Sequence, residues 1–393
     1  MAPRGGRSEL TRLSVVVPAY NAARGLRTCL RSLDSQALAP GDSYDVVVVD
    51  DGSTDETGAV VNDASWRVPI HYLHLPRTES SGRSRARNTG IRAATGDVIV
   101  MVDADEIAPP GFLAQHARLH RLRHDLVVIG PRHHLSGQVV DSGDLAGALA
   151  DDPAALVVKR DTRDAVLGVL SHNLNNLATS WHHMFSCNAS VRREHLLDVG
   201  GFDEDFTGWG LEDSELGYRL HRKGLAFAYV PEAVVYHQHR QAIDARMHGE
   251  WLRNLTHFVA KHPEPEVAAQ WVIEPSVNPA ANQSSWVECA LRLEFAVRAL
   301  HGRLPGERYK LIEVDEGNRD DVVACLERHA ADTNLLIVDH LADPELCALV
   351  QTAATRHEVL YFQRPNPAEL DRILAIWPIA PAAAEPVAAE RGA

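Results

Sequence analysis

Four short runs in the first hundred residues decide what this chain can fold into. LSVVVP (13–18), YDVVVVD (44–50), IHYLHL (70–75) and DVIVMVD (97–103) read as continuous apolar stretches rather than alternating ones. Strands look like this when a parallel sheet is covered on both faces. Between them, NAARGLRTCLRSLDSQ, TDETGAVVNDA and SRARNTGIRAAT carry helical patterning. The alternation predicts an α/β sheet of the Rossmann-like kind with crossover helices, whose ligands sit beyond the carboxyl ends of the strands. Those ends carry Pro18-Ala19-Tyr20-Asn21, Asp50-Asp51-Gly52-Ser53 and Asp103-Ala104-Asp105.

At 393 residues the chain exceeds one compact core and predicts more than one domain. We expect a flexible N-terminus over 1–12, a first domain over 13–240 and a helical connecting segment over 241–304. A small α/β module over 305–380 follows, where YKLIEV, NLLIVDH and EVLYF alternate with helical stretches, then an Ala/Pro-rich disordered tail over 381–393. A net charge of −14 argues against a nucleic-acid partner, which needs a basic face. Five scattered cysteines without C-x-x-C spacing predict neither a zinc site nor a disulfide framework and fit a reducing compartment. The apolar runs are strand-sized, so no transmembrane segment is expected. The expected location is the cytoplasm, with peripheral attachment to a membrane left open.

Each acidic motif has a structural and a chemical reading. Asp50-Asp51-Gly52-Ser53-Thr54-Asp55 is turn and cap chemistry, or carboxylates placed to accept hydrogen bonds from a base or ribose. Asp103-Ala104-Asp105-Glu106 is a solvated acidic loop, or a cluster needing a hard divalent cation shared with substrate phosphates. Arg83, Arg85 and Arg87 form a basic loop suited to a diphosphate, or a solvated helix start. In VVYHQH, a β run from Ala233 to Tyr236 brings His237 to a strand end, where an imidazole could complete a metal shell. In FTGWGLEDSELGYRL, Glu212 and Asp213 open a helix, where acids favour the dipole. Trp209 stands just before them in what reads as a flexible, exposed Gly-Trp-Gly turn. Such a ring suits sugar stacking, and a neighbouring carboxylate suits a general base.

Taken in order, VVVPAYNAARGLRTCLRSL, VVVDDGSTDET, ARNTGIRAATGDVIVMVDADE and GGFDEDFTGWGLEDSELGYRL resemble a family 2 glycosyltransferase of the GT-A fold. The stretch from Phe185 to His239 is also similar to the C-terminal part of galactosyltransferase- and chondroitin-polymerase-like enzymes. The resemblance covers about 13–240 and implies a nucleotide-sugar donor, with a UDP-sugar expected, and Mn2+ or Mg2+ as cofactor. It implies Pro18, Tyr20, Asp50 and Asp51 around base and ribose, and Arg87 and Asn88 near the donor. Asp103, Ala104 and Asp105 would be the D-x-D element, with Asp103, Asp105 and His237 on the metal. Trp209, Gly210 and Glu212 would meet the acceptor, and Asp213 would be the base. An E-D pair, where related retaining enzymes tend to carry E-N, implies inversion. The acceptor, whether carbohydrate, peptide or natural product, stays open, as does a homo-oligomer through the C-terminal region. Two other readings are a sugar nucleotidyltransferase, although PAYNAARG lacks a Gly-rich phosphate loop, and a non-catalytic sugar- or partner-binding protein.

Overall fold

The computed structural model describes residues 11–62, 65–136, 156–167, 174, 177–238, 242–281, 286–300, 309–327, 334–352 and 359–363. Most of the expected N-terminal arm, the whole tail, His239 and the helix expected after EVLYF lie outside them. The four apolar runs become β1 (Arg12–Ala19), β2 (Ser43–Asp50), β3 (Ile70–His74) and β4 (Val98–Val102). Between them lie α1 (Ala23–Leu33), α2 (Thr57–Asn62) and α3 (Arg83–Ala93). β1 pairs in parallel with β2 and β4, and β2 with β3. Side-chain alternation explains the burial on both faces. Val15 and Val17 pack with Leu26 and Leu30 of α1, whereas Val16 packs with Ala86 and Ile91 of α3.

Beyond β4 come β5 (Glu106–Ile107), α4 (Phe112–Leu122), β6 (Leu126–Ile129), β7 (Arg132–Leu135), β8 (Val157–Lys159), β9 (Asn188–Arg192), β10 (Ala226–Tyr229) and β11 (Val235–His237). The main sheet has seven strands in the order β10-β6-β9-β4-β1-β2-β3, with β9 antiparallel to both neighbours. A second sheet, β5-β11-β7-β8, stands beside the ends of β4 and β1. Its register matters below. Glu106 lies opposite His237, and His237 is level with His134.

The helix Glu212–Arg222 carries the acid pair at its first two positions. It is packed so closely against the turn Ser180–His183 that a Cβ added at Gly217 would lie 2.6 Å from the carbonyl oxygen of Trp181. Gly217→Ala therefore cannot be accommodated without moving that helix. We expect it to lower unfolding free energy by about 1–3 kcal/mol, as overpacking does, in urea denaturation. A change under about 0.5 kcal/mol would mean that the helix shifts freely.

The C-terminal strands β12 (Lys310–Val314), β13 (Leu335–Asp339) and β14 (Val359–Gln363) form a parallel sheet in the order β12-β13-β14. The sheet has a buried cluster of its own on one face and joins the larger core on the other. Leu336, Val338 and Phe362 belong to the same buried cluster as Val297, Leu293 and Trp181, while Leu335 and Ile337 face Leu326 and Leu346 on the other side. Among the described residues, no helix is long and apolar enough to cross a membrane.

Candidate active site

A cavity of about 1250 Å³ opens where the carboxyl ends of β1, β2 and β4 meet the acid-pair helix, and its far wall comes from residues 242–286. Pro18, Tyr20 and Asp51 line one side. The Arg77 guanidinium lies 4.1 Å from the centroid of the Tyr20 ring and donates to Asp51 Oδ2 at 2.8 Å. Burial pushes the Asp51 carboxyl up, against the pull of Arg77. Tyr20 remains 49% exposed, a platform open to a planar ligand. Asp50 is placed differently. It is buried, accepts from Tyr72 Oη at 2.6 Å and from the Ser53 amide at 2.8 Å, and does not line the cavity.

The three arginines sit on the first turns of α3 rather than in a loop. Arg83 donates to the Gly208 carbonyl, and Arg85 reaches Asp51 at 3.5 Å. Arg87, 2% exposed, bridges Asp103 at 2.9 Å and Glu212 at 3.4 Å. Asn88 turns the opposite way. Its amide donates to Phe202 O and accepts from Phe202 N, bracing the 201–204 loop outside the cavity.

Asp103 and Asp105 diverge. Asp103 is engaged by Arg87, whereas Asp105 Oδ2 lies 3.1 Å from His237 Nε2. The Gln238 amide donates to the Asp105 carbonyl, tying the end of β11 to this turn, and Ala104 lies between the two acids on the cavity wall. His237 Nδ1 is 3.3 Å from His134 Nδ1. Burial, Arg132 and His237 hold the His134 imidazole down at about 4, so that ring is neutral at physiological pH. A ring nitrogen so held leaves Nε2 of His237 directed at Asp105, the arrangement of a metal-binding histidine. Oxygen and imidazole donors suit Mn2+ or Mg2+. Glu106, fully buried beside them, has both carboxylate oxygens without a hydrogen-bond partner. The Arg132 guanidinium offsets its charge without bonding either oxygen, and the lone pairs so left fit a hard divalent ion.

Beyond Arg87, Glu212 and Asp213 follow Leu211, whose left-handed φ of 73° turns the chain into the helix. Asp213 Oδ2 accepts from the Ser186 amide at 3.2 Å and Oδ1 from the Ser214 amide at 3.0 Å. Burial and then Glu212 push its carboxyl up, against Arg87 and the Ser186 amide. The Gly-Trp-Gly turn is braced, contrary to the flexible exposed turn expected. Trp209 is partly buried, and Asn254 Nδ2 donates to the Gly210 carbonyl at 2.8 Å. Gly210 has a φ of 96°, and a Cβ there would meet the Trp251 ring at 2.8 Å.

Residues 14–200 match the family model described as glycosyl transferase family 2. The chain carries a family 2 glycosyltransferase domain. Residues 170–241 match a second model, described as the N-terminal domain of galactosyltransferase. It is 32% identical over 290 residues to validoxylamine A glucosyltransferase of Streptomyces hygroscopicus subsp. limoneus, covering 68% of this chain and 61% of that protein. It is 28% identical over 255 residues to the uncharacterized glycosyltransferase YfnE of Bacillus subtilis (strain 168), covering 57% and 64%. Chondroitin synthase of Escherichia coli is 27% identical over 349 residues, 81% of this chain and 48% of that one. The chain thus spans less than two thirds of the length of each. The solved mannosyltransferase PcManGT from Pyrobaculum calidifontis, in complex with GDP-Man and Mn2+, is 19% identical with a TM-score of 0.44, covering 83% and 82%.

Two groups at the site escape a reading by motif, Arg77 and His134, and Glu106 is read only as one of the acids after β4. Arg77 lies in a loop with no pattern around it. The positions of Glu106 and His134 become legible only through strand register, which sets both level with His237.

Proposed function

We propose that the chain is an inverting, metal-dependent glycosyltransferase that moves a sugar from a UDP-sugar to an acceptor hydroxyl, with Asp213 as general base. The observation that carries this is the position of Asp213. It lines the same cavity as Asp103 and Asp105, one Arg87 guanidinium away from Asp103 through Glu212, on a helix N-terminus that favours an ionised acid. A donor held against Tyr20, Asp51 and Arg77 would direct its diphosphate toward the D-x-D turn. Asp105 and His237 are the residues that would hold a divalent ion there, and the ion would offset charge on the departing nucleoside diphosphate.

Each Asp213 oxygen accepts one backbone amide and keeps a lone pair, so the carboxylate is oriented and still basic. Glu212 is held by Arg87 and lines the acceptor side of the cavity, where it can receive a second hydroxyl. Trp209 offers a ring face beside it. The far wall, with Met247, Trp251, Ile273 and Trp286, lies beyond both family matches, and acceptor selection is assigned to it.

A thermal-shift panel of UDP-, GDP- and dTDP-sugars with and without Mn2+ tests the donor. A bound UDP-sugar at 100 times its dissociation constant stabilises by about 2.7 kcal/mol and should raise the midpoint by about 3 °C, with the metal required. If no nucleotide sugar shifts the midpoint in the presence of Mn2+, the donor assignment falls.

A further inference from the structure

We infer that Glu106 is a ligand of the divalent cation, completing a preformed set with Asp105 and His237, and that Asp103 is not one. This extends the metal-dependent reading above, but its evidence is separate from any sugar chemistry.

The first observation is geometric. Ligand atoms of Asp105, Glu106 and His237 lie within 4.8 Å of one another, the spread expected of donors around one small ion. Strand pairing produces this. Glu106 faces His237 directly across the antiparallel β5–β11 pair, and such neighbours project from the same face of a sheet. Asp105 belongs to the turn before β5, so it need not point opposite to Glu106 as it would within a strand. His134, level with His237 on the next strand, supports that ring from behind.

The second observation is the state of Glu106 itself. Its side chain is fully buried, and neither oxygen has a hydrogen-bond partner. Buried carboxylates are normally paired, hydrogen-bonded or coordinated. The nearby guanidinium of Arg132 donates to Cys187 Sγ at 3.7 Å. A bare cation can reach oxygens that a water molecule cannot.

The third observation concerns Asp103. Its Oδ1 is held at 2.9 Å by Arg87, which also reaches Glu212, so Asp103 belongs to a network leading to the acid pair. Asp103, Glu106 and Cys187 also converge within 4.8 Å. A thiol, however, is a soft donor that suits neither Mn2+ nor Mg2+.

The two assignments diverge under mutation. Mn2+ is titrated into the EDTA-stripped full chain without nucleotide, and free ion is read from the room-temperature EPR signal of aqueous Mn2+. The wild type should bind one equivalent. Glu106→Gln, which keeps size and removes charge, should weaken binding at least about tenfold, as should Asp105→Asn. Asp103→Asn should leave it within about threefold. Glu106→Asp, which keeps the charge on a shorter arm, should retain part of the affinity and guards against a folding artefact, as does an unchanged circular dichroism spectrum. Equal Mn2+ affinity in Glu106→Gln and wild type would overturn the inference. So would loss of binding in Asp103→Asn alone, or no binding by the wild type at millimolar Mn2+. If Glu106-dependent binding is found but no nucleotide sugar stabilises the protein, the cation site stands and the donor reading fails.

Discussion

Asp213→Asn should lower sugar transfer by about 10²- to 10⁴-fold, the usual contribution of a general base, while Mn2+-dependent UDP binding stays within about twofold. Asparagine keeps the side chain's shape, and its carbonyl oxygen can still accept from the Ser186 amide, while its NH2 group replaces the oxygen that accepts from the Ser214 amide. The pH profile gives an independent check. Burial and Glu212 raise the Asp213 carboxyl to about 6, and a base works only when ionised. Wild-type kcat/KM should therefore fall as pH drops through about 6, and the residual activity of the variant should lack that limb. Stability moves the other way. An acid whose folded pKa lies above its unfolded value of 3.8 favours the folded state while protonated. That advantage is lost as pH rises from about 4 to 6. The Asn variant escapes that loss but gives up the acceptor of the Ser214 amide, so its stability relative to wild type should be better at pH 7.5 than at pH 4. Full transfer activity in Asp213→Asn would remove this residue from the chemistry.

The largest stability effect belongs to Arg87. Its guanidinium is buried between Asp103 and Glu212, with Asp213 adjoining and the Phe202 ring 5.4 Å away. Arg87→Met leaves those carboxylates facing one another with no cation among them. Removing one partner of a buried ion pair is destabilising by about 3–5 kcal/mol, and urea denaturation should show a loss of that size. Arg87→Lys should recover only part of it, because one ammonium cannot fork toward two carboxylates. A loss under about 1 kcal/mol in Arg87→Met would show that solvent or relaxation compensates the acids. The variant should also impair transfer, since Glu212 would no longer be held at the cavity wall.

The first four strands are plain in the sequence because burial on both faces writes a continuous apolar run. β9 is not, for the opposite reason. Asn188 and Ser190 sit at its buried positions, where they bond His116, while Ser190 also bonds His120. A paired polar network replaces the apolar signal there. At the site, motifs carried Asp51, Arg87, Asp105, Asp213 and His237 to the cavity. They also grouped Asp50 and Asn88 with their neighbours, although one residue's step along a strand or helix points a side chain elsewhere. Asp50 turns to Tyr72, and Asn88 to the Phe202 backbone. Motifs record order along the chain, whereas Glu106 and His134 owe their places to pairing between strands distant in sequence.

The apolar cluster running from the catalytic sheet through Leu293 and Val297 into Leu336, Val338 and Phe362 has a consequence for the history of the chain. A module joined by a tether can be exchanged or dropped between relatives. One whose residues are buried in the same cluster, as Leu336, Val338 and Phe362 are, cannot be lost without baring hydrocarbon to water on both sides of the contact. The described residues of β12, β13 and β14 are thus tied to the larger core by inheritance as well as by contact, and substitutions across that contact are expected to track one another.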